Sequence, residues 1–353
     1  MKAKINYILE KFKEFVSTYQ YKNNPVITVY VDIDSSNPAN LRDRPAWLIE
    51  LKKEAKRYED LFSEDLKRKT FQKEYDKFIT FLESELLKSK PTGRSVVIFY
   101  SQERRFRLDL PIKLETRIYY GLPQLKHLLF SIDQYKKYLT VLFSGAEVKL
   151  VEVFLSISTD QMLKETKHDQ NRKFGRKSKT LANERRSSEF DRRHVKEIAD
   201  EINAYFMGDP EFERLVLAGN TKIAQAVKKV LHPMVAQTLV DVVDINFKAS
   251  QSLIANKVSE IACEHERVHD MKIIDYLLLN SSPGGSALLE KQGVKDALKK
   301  GIAQQLVLPY PIDAEEFDEL IIDAAINDVE VEFVQKEAAE KLKEFGGIGA
   351  ILF

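Results

Sequence analysis

Apolar positions change their spacing along the chain, and the changes predict alternating helices and strands. In residues 5–18 they recur at helical spacing, whereas the run VITVYVDI at 26–33 is β-branched and aromatic, as in a buried strand. Residues 46–87 favour helix, with a break expected near 63–65. A strand followed by long helices is typical of a mixed α/β domain. We predict such an N-terminal domain over residues 1–130.

Two further strands are predicted in the same segment. The run SVVIFY is apolar or aromatic at nearly every position, which is typical of a strand in the interior of a sheet. The run FRLDLPI follows it, and its Pro111 cannot donate a ladder hydrogen bond. We therefore expect this last strand to lie at the edge of the sheet.

The second segment, residues 134–280, predicts a mixed or parallel sheet covered by helices. YLTVLFSG and EVKLVEVFL are two strands joined by a Ser-Gly-Ala hairpin turn. A helix at 190–207, the strand RLVLAG, a helix at 221–232, the strand TLVDVVDI and a long helix at 249–279 follow. Strands that alternate with helices indicate this layered arrangement.

The third segment, residues 281–353, predicts a small α/β sandwich after the linker-like run NSSPGG. Its helices are VKDALKKG, residues 313–327 and KEAAEKLKEFGG, and its strands are QQLVLPY, VEVEFV and IGAILF. Between Asp313 and Glu344, twelve Asp or Glu residues occur with three Lys. Because acidic surfaces repel phosphates, this domain is better suited to a protein partner than to RNA.

Composition narrows the class of protein. With 353 residues, 44% apolar and 31% charged, the chain predicts two or three ordinary globular domains. A single cysteine, Cys263, excludes an intrachain disulfide and fits a reducing compartment. The N-terminus lacks an uninterrupted apolar signal region, and no apolar run approaches the roughly 18 residues of a membrane span. We therefore expect a cytoplasmic protein with no membrane partner.

Positive charge is concentrated in one stretch, although the net charge of the chain is only +1. In RKFGRKSKTLANERRSS, residues 172–188, seven of seventeen positions are Lys or Arg. The stretch lies in a predicted extended loop, 164–194, and such a loop can bind nucleic-acid phosphates with release of counterions. The alternative is a solvated loop without a partner. The residues predicted to contact RNA here are Arg172, Lys173, Arg176, Lys177, Lys179, Arg185 and Arg186.

Side chains that could support catalysis are few. His265 and His269 are one helical turn apart, but no third metal ligand is evident. Nucleotide-binding glycine loops, a Gly-x-Ser-x-Gly elbow and the protein-kinase motifs are missing from the sequence. We therefore predict no catalytic residue, no metal and no cofactor. Two pairs of aspartates near strand ends would need a further partner to hold magnesium: Asp32 with Asp34, and Asp241 with Asp244.

The order of these segments resembles a family, the bacterial relatives of the archaeal and eukaryotic class-1 translation release factors and of Pelota. The first segment, with its NLRDR turn, is similar to the decoding-site domain of that family. RLVLAG, a helix and VDVVDI resemble the middle domain, where an RNase H-like sheet is expected. GVKDALKKGIAQQLVLPY through FGGIGAILF resembles the C-terminal domain, which is similar to kink-turn-binding ribosomal proteins.

The sequence departs from release factors where they hydrolyse peptidyl-tRNA. Their loop after the middle-domain hairpin carries Gly-Gly-Gln, but the matching residues here contain only Gly175. Gly284 and Gly285 precede a serine and fit a linker turn. The turn SSNPANLRDR lacks the stop-codon motif, while Arg42 and Arg44 within it are placed to contact RNA near the decoding site. This combination resembles Pelota and the bacterial hibernation factor Balon.

The resemblance implies a non-catalytic factor that binds the ribosomal A site during hibernation or rescue of stalled ribosomes. Its expected partners are ribosomal RNA, transfer RNA, and a translational GTPase such as EF-Tu or the ribosomal stalk base, with no DNA partner. Two alternatives stay open from the sequence. One is an enzyme, either an atypical peptidyl-tRNA hydrolase or a metal-dependent RNase. The other is a protein-interaction scaffold that no longer binds the ribosome.

Overall fold

Three sheets organise the residues that the computed structural model describes. Residues 134–269 form one compact unit, here called the middle unit. Residues 2–133 and 270–353 together form a second, the terminal unit. The backbone alone is described at 85–86, 155–158, 161–173, 184–191 and 316. The described residues are 10, 12–16, 24–86, 93–101, 104–110, 112–134, 136–144, 147–158, 161–173, 184–312 and 316–353.

The first sheet of the terminal unit is antiparallel throughout, in the order β3-β2-β1-β4. Two long helices separate β1 from β2, and a short helix follows β4. The elements are β1 (Val26–Asp32), α1 (Ala46–Asp60), α2 (Asp65–Leu86), β2 (Ser95–Tyr100), β3 (Arg105–Leu110), β4 (Arg117–Gly121) and α3 (Lys126–Gln134).

Both faces of this sheet are buried. Because side chains alternate along a strand, Val29 and Val31 of β1 face α1 and α2 and join a core that includes Trp47. The opposite face carries Tyr30 and is partly covered by the helical residues 12–16. This two-sided burial explains why β1 and β2 are apolar at nearly every position.

The middle unit contains a mixed sheet in the order β7-β6-β5-β8-β9. β6 is antiparallel to both of its neighbours, β5 and β7, whereas β8 and β9 run parallel to β5. The elements are β5 (Lys136–Ser144), β6 (Glu147–Ser158), β7 (Gln161–Lys173), α4 (Glu184–Gly208), β8 (Phe212–Gly219), α5 (Thr221–Lys228), α6 (Pro233–Gln237), β9 (Leu239–Val243) and α7 (Gln251–Asn280).

Helices cover both faces of the mixed sheet. Leu139 and Val141 of β5 pack with α4, α5 and α6, whereas Leu142 on the other face packs with Ile254 and Val258 of α7. The residues of α7 from 270 onward belong to the terminal unit. The expected mixed sheet between helical layers is therefore confirmed for this part of the chain.

The last sheet has the order β10-β13-β11-β12, with β11 and β12 parallel. Ile274 and Leu277 of α7 pack against its apolar core. The elements are β10 (Ala287–Leu288), α8 (Lys291–Lys300), β11 (Ala303–Pro309), α9 (Glu316–Ile326), β12 (Glu330–Val334), α10 (Lys336–Glu344) and β13 (Gly349–Leu352).

Most predicted elements are confirmed within the described residues. The break at 63–65 separates α1 from α2, β3 lies at a sheet edge, and the helix expected at 5–18 is present at 12–16. The turn at Gly284 and Gly285 is confirmed, since Gly284 has a φ of 81°. The short strands β4 and β10 and the helix α3 were not predicted. The division into three domains stays a prediction.

Candidate nucleic-acid interface

The loop after β1 is held at its base by a buried ion pair. Ile33 donates its backbone N–H to the carbonyl oxygen of Arg94, 3.0 Å away. The guanidinium of Arg94 contacts Oδ2 of Asp34 through Nε at 2.8 Å and Nη2 at 2.7 Å. Burial raises the pKa of Asp34, but the N–H of Ser36 and the Arg94 guanidinium outweigh it and lower the pKa overall. Asp34 is therefore held ionised and in place.

Asn40 fixes the shape of the same loop. Its Nδ2 donates to the backbone oxygens of Asp32 at 3.2 Å and Asp34 at 3.0 Å. Its Oδ1 accepts the backbone N–H of Trp47 at 3.2 Å, which ties the loop to the start of α1. Asn37 begins a short 3₁₀ helix by accepting the N–H of Ala39 at 3.1 Å. One amide side chain thus joins the beginning and the end of the loop.

The loop presents Arg42 and Arg44 to solvent. Both are exposed, as is Asp43 between them, whereas Pro45 immediately after them is buried. Leu41 is 70% exposed at the end of the 3₁₀ helix. Because the backbone beneath is fixed by hydrogen bonds, little ordering entropy would be lost when the arginines meet a ligand. The geometry therefore suits contact with phosphates.

Removal of the Asn40 amide tests how firmly the loop is held. We expect Asn40→Ala to destabilise the terminal unit by about 1–3 kcal/mol, because three backbone groups lose their partner. The fluorescence of Trp47, the single tryptophan of the chain, can follow urea unfolding. Asn37→Ala removes one hydrogen bond from the same loop and serves as the control, with an expected loss of about 1 kcal/mol. An equal loss in the two variants would contradict the assignment of Asn40 as the main brace.

The prediction of an extended loop over residues 164–194 is wrong at both of its ends. Residues 161–173 form the strand β7, which pairs with β6 so that Arg172 is opposite Val148 and Lys173 is opposite Glu147. The following helix α4 begins at Glu184, six residues before the predicted start. The long strand β6 supplies a pairing partner for a polar sequence whose own strand propensity is weak. Pairing with β6 thus outweighs the weak strand propensity of the β7 sequence.

The seven basic residues of the stretch are therefore divided among different elements. Arg172 and Lys173 end β7, which is an edge strand, and charged residues are typical of sheet edges. Arg185 and Arg186 lie in the first turn of α4. The remaining three lie outside the described residues: Arg176, Lys177 and Lys179.

Two of the candidate metal ligands, Asp32 and Asp241, make structural contacts. Asp32 accepts the N–H of Asp34 at 3.0 Å and pairs with Lys113 at 3.2 Å. Asp241 accepts the N–H of Val242 at 2.7 Å. His265 and His269 lie on α7. Across the described part of the chain, no group of three or more His, Cys, Asp or Glu residues is arranged to hold a metal ion.

Residues that sequence reasoning did not single out form a polar cluster in the terminal unit. His127, on the unpredicted helix α3, contacts Tyr119 of β4 and Tyr310, which follows β11. Nearby, Asp318 of α9 contacts Lys126 and Gln124. These residues are separated by up to about two hundred positions in the sequence, so no local spacing could have indicated the cluster.

Part of the chain is similar to a known family. Residues 123–263 match the model of bacterial archaeo-eukaryotic release factor family 10. Over these residues the chain is similar to the bacterial members of the archaeo-eukaryotic release factors. The sequence of no curated protein matches. Within the described residues, no helix has the length and apolar character that crossing a membrane requires.

Several solved structures are similar over most of the chain. Archaeoglobus fulgidus Pelota is 17% identical over 74% of this chain and 80% of its own, with a TM-score of 0.35. Dom34 of S. cerevisiae is 11% identical over 73% and 79%, with a TM-score of 0.43. The archaeal translation termination factor aRF1 is 16% identical over 98% and 97%, with a TM-score of 0.26. Because these TM-scores are below 0.5, the similarity to release factors rests on the family match of residues 123–263.

Proposed function

We propose that the protein is a non-catalytic factor that binds the ribosomal A site during hibernation or rescue of stalled ribosomes. The observation that carries the proposal is the braced loop after β1, which exposes Arg42 and Arg44 on a fixed backbone. The family match of the middle unit supports a role in translation. Since Gly-Gly-Gln is missing from the sequence, binding without peptide release is the simplest function for such a relative.

In this proposal two basic regions contact RNA phosphates at different places. The loop after β1 lies toward the decoding site, and the stretch 172–188 lies along ribosomal or transfer RNA. Both rely on Lys and Arg, whose contribution to RNA affinity falls with added salt. The acidic third segment, 281–353, is the part that contacts a protein, with a translational GTPase such as EF-Tu or the stalk base as candidates.

Two finer features of the fold belong to the same proposal. We infer an RNase H-like middle unit, an interpretation supported by three antiparallel strands followed by two parallel ones in the order β7-β6-β5-β8-β9. The last sheet, with three helices around four strands, supports a sandwich like that of kink-turn-binding ribosomal proteins. The predicted domain limits 1–130, 134–280 and 281–353 are part of the same proposal.

Charge reversal measures the binding of RNA phosphates directly. We expect Arg42→Glu/Arg44→Glu to weaken co-sedimentation with vacant ribosomes. The slope of log affinity against log salt should fall by about 1 for each phosphate that the variant no longer binds. The triple variant Arg176→Glu/Lys177→Glu/Lys179→Glu should lower this slope further. Because both variants bind fewer phosphates, their deficit relative to the wild type should shrink as salt rises.

The control variant changes the net charge as much as the arginine double variant does, but it leaves both basic regions unchanged. Lys272 and Lys299 are exposed in the terminal unit, and Lys272→Glu/Lys299→Glu carries the same charge change as the arginine pair. This variant should bind like the wild type. Wild-type binding by both test variants would reject RNA contact by these regions. Product formation from peptidyl-tRNA or structured RNA, with or without magnesium, would replace the non-catalytic proposal by one of the enzymatic alternatives.

A further inference from the structure

His127 lies between aromatic residues from distant parts of the terminal unit. Its Nε2 is 2.7 Å from the hydroxyl of Tyr119, and its Nδ1 is 3.1 Å from the hydroxyl of Tyr310. The ring of Tyr30 meets it edge-on at 5.9 Å between centroids. Next to it, Phe130 stacks on Tyr310 with ring centroids 3.5 Å apart. The contacts of His127 therefore join the first sheet to the last one.

The neighbours of the ring favour one placement of its proton. Arg117 hydrogen-bonds to Tyr119, and a guanidinium can only donate. The oxygen of Tyr119 therefore accepts from Arg117, and its own proton can point to Nε2 of His127. In that arrangement Nδ1 carries the ring proton and donates to Tyr310. Both ring nitrogens are satisfied in the neutral imidazole.

A second proton on this ring would disrupt the contacts. An imidazolium donates from both nitrogens, so the Tyr119 hydroxyl would have to turn its proton away and accept a second hydrogen bond beside that of Arg117. The nearby cations Arg117 and Lys126 repel the added charge. Asp318 is the carboxylate of the cluster, but Gln124 at 2.6 Å and Lys126 at 3.4 Å already contact its oxygens. Burial, together with Arg117 and Lys126, lowers the pKa of His127 from 6.5 to about 3.

We propose that His127, Tyr119 and Tyr310 form an acid-sensitive latch that holds the first and last sheets of the terminal unit together and opens when the imidazole is protonated. This latch does not depend on ribosome binding. It is at full strength above pH 6.5, the pKa of the unfolded group, and weakens as the pH falls from there toward 3. Each pH unit below 6.5 reduces the equilibrium ratio of closed to open latch by up to about tenfold.

Amide hydrogen exchange, corrected for intrinsic rates, tests the latch in the full-length protein. In the wild type, protection of residues 117–130 and 303–312 should fall by up to about tenfold between pH 7 and pH 5.5. His127→Gln should keep its protection over this range, because its amide donates and accepts without titrating. His194→Gln, which alters a histidine of α4, should behave like the wild type. Identical pH responses of the wild type and His127→Gln would overturn the proposal.

A second measurement covers the case in which His127→Gln does not fold. The ring of His127 in the wild type can be followed directly by NMR during an acid titration. The ring should stay neutral in the closed majority while protection of residues 117–130 begins to fall, and it should become protonated only at the lower pH at which the cluster opens. Titration near the ordinary pKa while both sheets stay protected would reject the latch, as would a ring that stays neutral after the cluster has opened.

Discussion

Replacement of Lys137 by Met is expected to destabilise the middle unit by about 3–5 kcal/mol, because it leaves two carboxylates without their cation. Lys137 is the second residue of β5 and is 5% exposed. Its Nζ lies 3.1 Å from Oε2 of Glu152 and 2.5 Å from Oδ2 of Asp209. The ammonium also sits 4.1 Å from the ring centroid of Phe212. Methionine keeps the length of the side chain, so the loss of stability measures the charge and its interactions.

Hydrogen exchange of the β5 amides reports this loss for the middle unit alone, which matters because unfolding of a chain with two compact units need not be two-state. Lys196→Met removes an exposed lysine from α4 and should change stability by no more than about 0.5 kcal/mol. The double variant Lys137→Met/Glu152→Gln should recover part of the loss, because no uncompensated Glu152 charge remains. A loss from Lys137→Met no larger than that of the control would contradict the role assigned to this ammonium.

Elements whose burial is decided by their own side chains could be predicted from the sequence. β1 and β2 are buried on both faces, so their continuous apolar runs identified them, and the break between α1 and α2 coincided with the polar residues near 63–65. The parallel strand β8 was recognised for the same reason, since its central residues are buried. In these cases a short stretch of sequence contains the information that decides whether the element is a helix or a strand.

Elements that depend on a distant partner could not be predicted in this way. β7 has a polar sequence and becomes a strand by pairing with β6. The helix α3 is short, and several of its buried side chains pack against residues nearly two hundred positions away. The brace formed by Asn40 was hidden for another reason, since an asparagine in a polar turn is ordinary and only its three hydrogen bonds distinguish it. The exposed arginines beyond it were predicted, but not the rigidity beneath them.

Replacement of Asp318 by Asn should destabilise the terminal unit by about 3–5 kcal/mol. The carboxylate is 3% exposed, accepts from Nε2 of Gln124 at 2.6 Å and lies 3.4 Å from Nζ of Lys126. Lys126 is itself 5% exposed, so the amide of the variant would leave a buried ammonium with no opposite charge in contact. Urea unfolding followed by the fluorescence of Trp47, which lies in the core of the first sheet, gives the free-energy change.

A surface ion pair in the same unit provides the contrast. Asp275 and Lys341 are 2.8 Å apart with side chains 57% and 34% exposed, so Asp275→Asn should cost about 0–1 kcal/mol. Lys126→Met/Asp318→Leu should be more stable than Asp318→Asn, because both buried charges are removed together. If Asp318→Asn lost no more stability than Asp275→Asn, the buried pair of Asp318 and Lys126 would not hold the two sheets together. The loss in Asp318→Asn should already be present at pH 7, where the latch is closed in the wild type, because the substitution acts without any protonation of His127.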